Sequence, residues 1–434
     1  MEELIEMLPL ELPLVNNSII KVIGVGGGGG NAVNHMYRQG ITDVSFVICN
    51  TDNQVLIKSP VPIKIQLGVN TTAGLGAGGN PEVARQAAEE SIDKIKEVLQ
   101  DNTKMVFITA GMGGGTGTGA SPVIAKVAHD MGILTVGIVT IPFAFEGNLK
   151  IKQALEGVAA LSEHVDAILV INNEKLKDIY PDLELSNAFA KADDVLTNAA
   201  KSIAEIITVP GYINTDFADV YSIMKDGKVA IMNTGYASGE NRITKAIENA
   251  LNSPLLNTND VNGASKVLLS LYCSTTNQIK MEEVQQIHDF MKKVGRNVQV
   301  IWGATFDDTL GDNVKITLIA TGYDVSDIPG MPTSIVNKHK NSQFAEKKYS
   351  TIDEKKPPIA HSTEEEKELQ IQKAMDEYYG DDISQNTSEK ELKVGIEDNI
   401  PVVNFKDLED LENDEILKKV EKIPAWIRKQ KKND

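Results

Sequence analysis

Three glycine-dense segments are the residues of this chain best equipped to do chemistry. Gly24-Val-Gly-Gly-Gly-Gly-Gly-Asn31 and Gly111-Met-Gly-Gly-Gly-Thr-Gly-Thr-Gly119 each follow an apolar run, and Gly74-Leu-Gly-Ala-Gly-Gly-Asn-Pro81 precedes a helical pattern. Backbone N–H groups without side chains can wrap a phosphate, and a helix that starts there adds partial positive charge. One such loop is equally a tight strand-to-helix turn with no ligand. Two loops after two strands belong side by side at the carboxyl edge of one sheet, and three suggest a nucleoside triphosphate. No Gly-x-x-x-x-Gly-Lys-[Ser/Thr] occurs, which excludes an ordinary P-loop enzyme.

Two further groupings carry chemistry. Phe189 and Asp193 are four apart in a helical pattern and share a face. An aromatic ring can stack on a purine, and a carboxylate can accept from guanine N1–H and its exocyclic amine, a donor pattern adenine lacks. A buried Phe189 in the core is the plainer alternative, and Asp194 is the neighbouring carboxylate in a different phase. Asn214-Thr-Asp-Phe-Ala-Asp219 opens another helix, with Asp216 and Asp219 on one side. Acids in a first turn also cap free N–H groups and complement the helix dipole, so a structural reading of this pair stands beside a catalytic one. The six histidines show no paired spacing, and no metal site is assigned.

These groups need a scaffold. Between residues 19 and 325 an apolar β-rich run, a glycine or Asx turn and a helical pattern alternate, which predicts an α/β fold. Ile19–Val25, Val44–Asn50, Met105–Ala110, Leu134–Ile141 and Ala167–Ile171 read as buried parallel strands. Leu185–Val209 repeats apolar residues at helical spacing over about seven turns and ends at Pro210-Gly211. A second α/β unit follows, with strands expected at Lys228–Asn233, Ser265–Cys273, Asn297–Ala304 and Lys315–Thr321. The organisation read from the chain is an N-terminal extension (1–18), a first α/β domain with a parallel sheet (19–184), a long connecting helix (185–209), a second α/β domain (210–325), a disordered linker (326–400) and a C-terminal tail (401–434).

Composition supports that division and narrows the function. With 43 basic and 61 acidic residues in 434, the net charge is −18, which repels nucleic acid and anionic membrane surfaces. Two cysteines build no disulfide framework and suit a reducing, cytoplasmic setting. No apolar stretch is long enough to insert in a bilayer, and residues 1–18 do not read as a signal peptide. Charge density doubles after residue 330, and only Gly380 and Gly395 of the 34 glycines lie beyond it. Such a linker would span about 50 Å root-mean-square as a flexible coil. At its end Ile423-Pro-Ala-Trp-Ile-Arg428 carries one of two tryptophans beside basic residues, a composition suited to a partner's groove.

The Gly113–Gly119 sequence GGGTGTG resembles the glycine signature of the tubulin superfamily. GVGGGGGNAVNHM, Asn50-Thr-Asp52, GLGAGGNPE and NTDFADV are similar to motifs of its bacterial cell-division members. Five motifs in the family's order, over about residues 16–325, identify the chain as a member of the tubulin/FtsZ GTPase superfamily. The resemblance implies a GTP-binding first domain, a central helix, head-to-tail self-polymerisation and a cytoplasmic ring at midcell. By the same resemblance Gly27, Gly28, Gly29, Gly30 and Asn31 hold the lower phosphates and Gly115, Thr116 and Gly117 the outer ones. Glu146 meets the ribose, Lys150 stands where the family commonly has Arg, Asn173 stands at the family's nucleotide-binding Asn, and Phe189 and Asp193 meet the base. Asp216, Asp219 and Asn214 complete the active site of the next subunit, and Mg²⁺ rides on the GTP phosphates. Ile423, Pro424, Trp426, Ile427 and Arg428 would bind membrane-tethering and regulatory division proteins.

Two rivals remain at this level. A nicotinamide dehydrogenase could be built on Gly24–Gly29 with Asp43 or Asp52 at the ribose, but the GGGTGTG loop has no place in it. A scaffold that binds GTP without hydrolysing it is the other, and the presence of both Asp216 and Asp219 argues against it.

Overall fold

The computed structural model describes residues 18–180, 182, 184–251, 263–294, 298–328, 331, 332 and 335. The N-terminal extension up to residue 17, nearly all of the predicted linker and the whole C-terminal tail lie outside the described residues.

The apolar runs of the first half form parallel strands because their side chains are buried on both faces. These are β1 (Ile20–Val25), β2 (Ser45–Asn50), β3 (Ile63–Gln66), β4 (Met105–Gly111), β5 (Leu134–Ile141) and β6 (Ala167–Asn172). β1, β2 and β5 are buried at every position. Their spatial order is β3-β2-β1-β4-β5-β6, so the direction of winding reverses between β1 and β4. Ligands of open α/β sheets bind outside the carboxyl ends of strands at such a reversal. The first and second glycine loops sit there, leading into the helices Gly26–Arg38 and Gly115–Asp130. β3 has no counterpart among the predicted strands. It is four residues long, lies at the sheet edge and follows Pro60 and Pro62, so neither length nor apolar continuity marks it.

The second half supplies β7 (Lys228–Ala237), β8 (Lys266–Cys273), β9 (Gln299–Phe306) and β10 (Val314–Tyr323), all at predicted positions within a few residues. β10 runs antiparallel between β7 and β8, and β9 is parallel to β8. Where the sequence predicts two units joined only by a helix, the structure has one ten-stranded sheet. β7 extends β6 in parallel through Ala167 with Lys228 and Ile168 with Val229.

Asp166 explains this junction. Its buried carboxylate accepts from the Thr135 backbone N–H at 2.8 Å and from Lys225 Nζ at 2.6 Å, while its carbonyl accepts from the Lys228 N–H at 2.9 Å. One residue therefore ties β5 and β6 to the chain entering β7.

The long helix Leu185–Thr208 packs across this sheet. Its Leu196, Ala199, Ala200, Ile203 and Ile206 share a core with Ala32, Val33 and Met36 of the first-loop helix and with Val220, Ile223 and Met224 of the helix Phe217–Met224. At 1.5 Å per residue it is about 35 Å long. Among the described residues, no helix is long and apolar enough to cross a membrane.

The Lys225–Asp166 pair gives the first prediction. Its hydrogen bond to Asp166 raises the Lys225 pKa above the ordinary 10.5, despite some desolvation. The stabilisation is therefore complete below about pH 10.5 and fades as pH rises through the higher folded value. Lys225→Met leaves a buried carboxylate short of a partner and should lower unfolding stability by about 2 kcal/mol at pH 7, discounted for the partial exposure of Lys225. Asp166→Asn, which keeps an acceptor for Thr135, should lose less. Urea unfolding midpoints compare the two; equal losses would mean that the unpaired buried carboxylate adds no cost, and no loss in either would mean that the ion pair does not hold the junction.

Candidate active site

The glycine loops meet because they lack side chains. Gly26 has φ +73°, and a Cβ there would come within 2.7 Å of the Gly117 backbone nitrogen. A Cβ on Gly115 would lie 3.0 Å from the Asn80 nitrogen and 3.1 Å from Ala77 Cβ in the third segment. The second loop is thus in van der Waals contact with both the first and the third. Thr51 Oγ1 and Thr116 Oγ1 are hydrogen-bonded at 2.8 Å, and the Gly76 and Asn53 amides bond the Thr51 and Gly74 carbonyls, which brings Asn50-Thr-Asp52 into the same cluster.

Both helices that begin here start without a side-chain cap and without an acid in the first turn. The first N–H groups of a helix have no partner within it and carry partial positive charge. Two bare N-termini converge on one place, where an anion would satisfy them. Gly27 and Gly30 have open space where a Cβ would stand, whereas Gly28 and Gly29 pack onto Gly111 and Thr109, so the latter two serve close packing of the loop against β4. Asn31 is exposed one turn into the helix.

The base-side residues gather beyond β5 and β6. Phe143 packs edge-on to Phe189 at 5.3 Å between centroids and stacks on Phe145 at 5.1 Å. Phe189 nevertheless remains 42% exposed, so its plainer assignment to the core does not hold. The neighbouring carboxylates divide. Asp194 is taken up by His35 Nε2 at 2.8 Å and Lys191 Nζ at 3.0 Å, whereas Asp193 makes no hydrogen bond among the described residues. Burial pushes the Asp193 carboxyl up to about 6; the nearby His35 opposes that shift and Asp194 adds to it.

Asn173 is buried at the end of β6, and its Oδ1 has no partner. Glu146 accepts from the Phe143 N–H at 3.0 Å with one oxygen and lies 3.4 Å from Lys150 Nζ with the other, so its carboxylate also shapes its own loop. Lys150 is otherwise exposed. Cys49, the last residue but one of β2, is buried and its thiol is pushed up to about 12, which removes it as a nucleophile.

Asp216 and Asp219 lie elsewhere, past the far end of the long helix. Asp216 Oδ1 accepts from the Ala218 and Asp219 N–H groups at 2.8 and 3.1 Å, and Asp219 Oδ2 accepts from the Asp216 N–H at 3.1 Å. This is a reciprocal capping box, the structural role weighed for these acids. Asp216 Oδ2 and Asp219 Oδ1 stay free of hydrogen bonds among the described residues. The loop is held by Asn214, which accepts from the Gly211 N–H at 3.2 Å, and by Ile213, which bridges Ala304 of β9. Beside it Tyr212 is 77% exposed and packs on Phe306. Among the described residues, no group of three or more His, Cys, Asp or Glu could hold a metal ion.

Sequence reasoning missed His35 and Glu90; it gave Asp194 only as the neighbour of Asp193 and Thr51 only as part of the Asn50-Thr-Asp52 motif. Glu90 takes four hydrogen bonds from the backbone and side chains of Asn70 and Thr71 and so ties the helical turn before the third glycine segment to the helix after it. Nothing in the spacing of Glu90 signals this. For Thr51, its place in Asn50-Thr-Asp52 directly after β2 was a usable sign.

The tubulin/FtsZ family GTPase-domain model matches residues 19–181, and the FtsZ family C-terminal-domain model matches residues 228–324. The cell division protein FtsZ of Porphyromonas gingivalis is 47% identical over 415 residues, 94% of this chain and 85% of its own. That of Buchnera aphidicola subsp. Schizaphis graminum is 45% identical over 340 residues, 78% of this chain and 86% of its own. Among solved structures, an empty FtsZ dimer from M. jannaschii superposes with a TM-score of 0.64 at 43% identity, covering 70% of this chain and 88% of the other. GDP-bound CetZ1 from Haloferax volcanii, with a TM-score of 0.63 at 19% identity over 75% of this chain and 99% of its own, shares the fold. With converging glycine loops on a sheet of this order, and with relatives this similar along nearly its whole length, the chain belongs to the tubulin/FtsZ family of GTPases.

Proposed function

We propose that this GTP-dependent polymerising GTPase of cell division builds its active site from two copies of the chain in head-to-tail contact. One observation carries the reading: the anion-seeking helix N-termini come before, and the free oxygens of Asp216 and Asp219 after, a helix about 35 Å long, which supports their being supplied by different copies. Exposed apolar residues near each group support the contact. Leu75, in the third glycine segment, is 85% exposed, and Tyr212 projects beside the aspartate loop.

In this reading GTP lies across β1 and β4. Gly27, Gly28, Gly29, Gly30 and Asn31 meet the lower phosphates, and Gly115, Thr116 and Gly117 the outer ones. Phe189 stacks on guanine, Asp193 accepts its N1–H and amine, Asn173 contributes its buried amide, and Glu146 accepts from the ribose. Lys150 is close enough to Glu146 to be steered by it, and a lysine supplies charge without the two-pronged fork of an arginine. Backbone N–H groups offer no lone pairs to a cation, so Mg²⁺ would be carried by the phosphates, where it would neutralise developing charge.

Asp216 and Asp219 of the second copy orient the attacking water and Asn214 holds their loop. Phosphoanhydride hydrolysis needs positioning and charge neutralisation more than covalent chemistry, so these parts are sufficient. The chain would act in the cytoplasm at a midcell ring. It would bind neither nucleic acid nor lipid directly, and would reach the membrane through tethering and regulatory proteins that bind Ile423, Pro424, Trp426, Ile427 and Arg428.

The capping box allows a clean test. Asp216→Asn keeps an acceptor for the helix N-terminus and should leave stability nearly unchanged, whereas Asp216→Ala should lose about 1 kcal/mol. Both should retain GTP affinity and release phosphate at least about tenfold more slowly. Nucleotide binding and phosphate release against protein concentration, with light scattering in parallel, decide the matter. A loss of affinity in proportion to activity would place Asp216 in the same molecule's pocket.

Asp193 predicts a pH dependence. Its carboxyl titrates near 6 when empty, and guanine donors favour the ionised form, so GTP affinity should fall as pH drops from 7 to 5, by at most about tenfold per unit. ATP, which lacks that donor pattern, should not follow. Competition titrations across this range test it, and a constant GTP to ATP ratio would move base recognition elsewhere.

For the tail, deletion of residues 423–434 should spare GTPase activity and assembly of the purified chain while abolishing ring placement in cells. Normal midcell rings from the truncated chain would overturn the assignment.

A further inference from the structure

We propose that His35 and Asp194 are positioning residues that hold the first-loop helix and the central helix in the register at which Asp193 meets the nucleotide base. The proposal rests on the reading of Asp193 as the base acceptor.

The contact between the two helices is otherwise apolar and holds no other side-chain hydrogen bond among the described residues. Ala32, Val33 and Met36 face Leu196, Ala199, Ala200 and Ile203. Such a surface resists separation but only weakly resists rolling, because it offers no directional bond. His35 Nε2 to Asp194 Oδ1, at 2.8 Å, is the only side-chain hydrogen bond between these helices among the described residues. Lys191 Nζ, one turn before Asp194, holds the other carboxylate oxygen at 3.0 Å. Asp194 is therefore fixed from two directions, and Asp193 is the next residue on the same helix.

That adjacency sets the leverage. A side-chain oxygen lies some 6–7 Å from the helix axis, so a roll of about 10° would displace it by about 1 Å. A shift of that size spoils the hydrogen-bond geometry on which recognition depends. The two acids have divided their work: Asp194 takes the protein's donors, and Asp193 is left without any, ready for a ligand's. His35 also lies on the helix that begins at the first glycine loop, three residues before its end at Arg38. The link thus joins the element that meets phosphates to the element that reads the base.

The chemistry at stake is the pair of donors on one edge of guanine. Inosine triphosphate keeps N1–H and lacks the exocyclic amine, so the ratio of its dissociation constant to that of GTP reads the amine half of the two-donor contact. In the full-length chain His35→Ala should weaken GTP binding by about fivefold, with inosine triphosphate weakened less than twofold, a coupling of the size networks of this kind carry. KM for GTP should rise more than kcat falls. His35→Gln, which restores a donor of similar reach, should return the ratio towards that of the unaltered chain, and a purely structural role would not show that selectivity.

Asp193→Ala run alongside separates the two claims. Loss of the ratio in Asp193→Ala but not in His35→Ala would overturn the positioning role and leave the base reading intact. An unchanged ratio in Asp193→Ala would overturn the base reading and this proposal with it. Equal weakening of both nucleotides by His35→Ala, unrelieved by His35→Gln, would also overturn it.

Discussion

The close approach of backbone to backbone where Gly26 meets Gly117 is the constraint on which the rest of the molecule depends. Any side chain at Gly26 would force the first and second glycine loops apart. Only when they touch do two uncapped helix N-termini point at a common space, and only then does that space select for several linked negative charges. The sheet order follows the same need. Placing β1 beside β4, and reversing the winding there, is what brings the two helices alongside one another. In the proposed reading a nucleoside triphosphate satisfies the resulting donors.

From that constraint the division of labour along the central helix follows. Its first turns carry the groups proposed to read the base, its middle packs into the core, and its far end leads to the aspartate loop. A rigid rod of this length leads away from the glycine loops before the aspartate loop begins. In the proposed reading the active site is split between two copies, so turnover would report assembly. The continuous sheet reinforces the arrangement. With β7 hydrogen-bonded to β6 and Asp166 bonded across the junction, the two halves are fastened along the sheet as well as along the helix.

Much of this was legible in the sequence, and what was not has identifiable causes. Glycine loops announce themselves because few other residues tolerate such backbone approach, and the runs that became β1, β2 and β4 to β6 are apolar throughout because both their faces are covered. Helical periodicity gave the long helix to within one residue of its end at Thr208. What the sequence could not disclose were contacts between distant positions. Asp166 and Lys225 are 59 residues apart, and His35 and Asp194 are 159 apart, with nothing local to distinguish them from solvated surface charges. The choice between Asp193 and Asp194 was of the same kind. Helical phase separates them, but their partners lie on another element, and it is the partners that leave one carboxylate free.

Asp216 and Asp219 show why a structural and a catalytic reading of the same residues need not compete. Each spends one oxygen on a backbone N–H of the helix it opens and keeps the other unbonded. In the proposed reaction the capping bonds would fix both carboxylates before any water arrives, so little reorganisation would be left for the chemistry itself. A flexible surface aspartate would have to lose rotamer freedom in the transition state, whereas these have lost it on folding. The reciprocal cap therefore supplies the rigidity that water-orienting groups require, and the loop's bridge from Ile213 to Ala304 extends that rigidity into the sheet. Seen this way, the acids are placed by the same hydrogen bonds that would otherwise have explained them away.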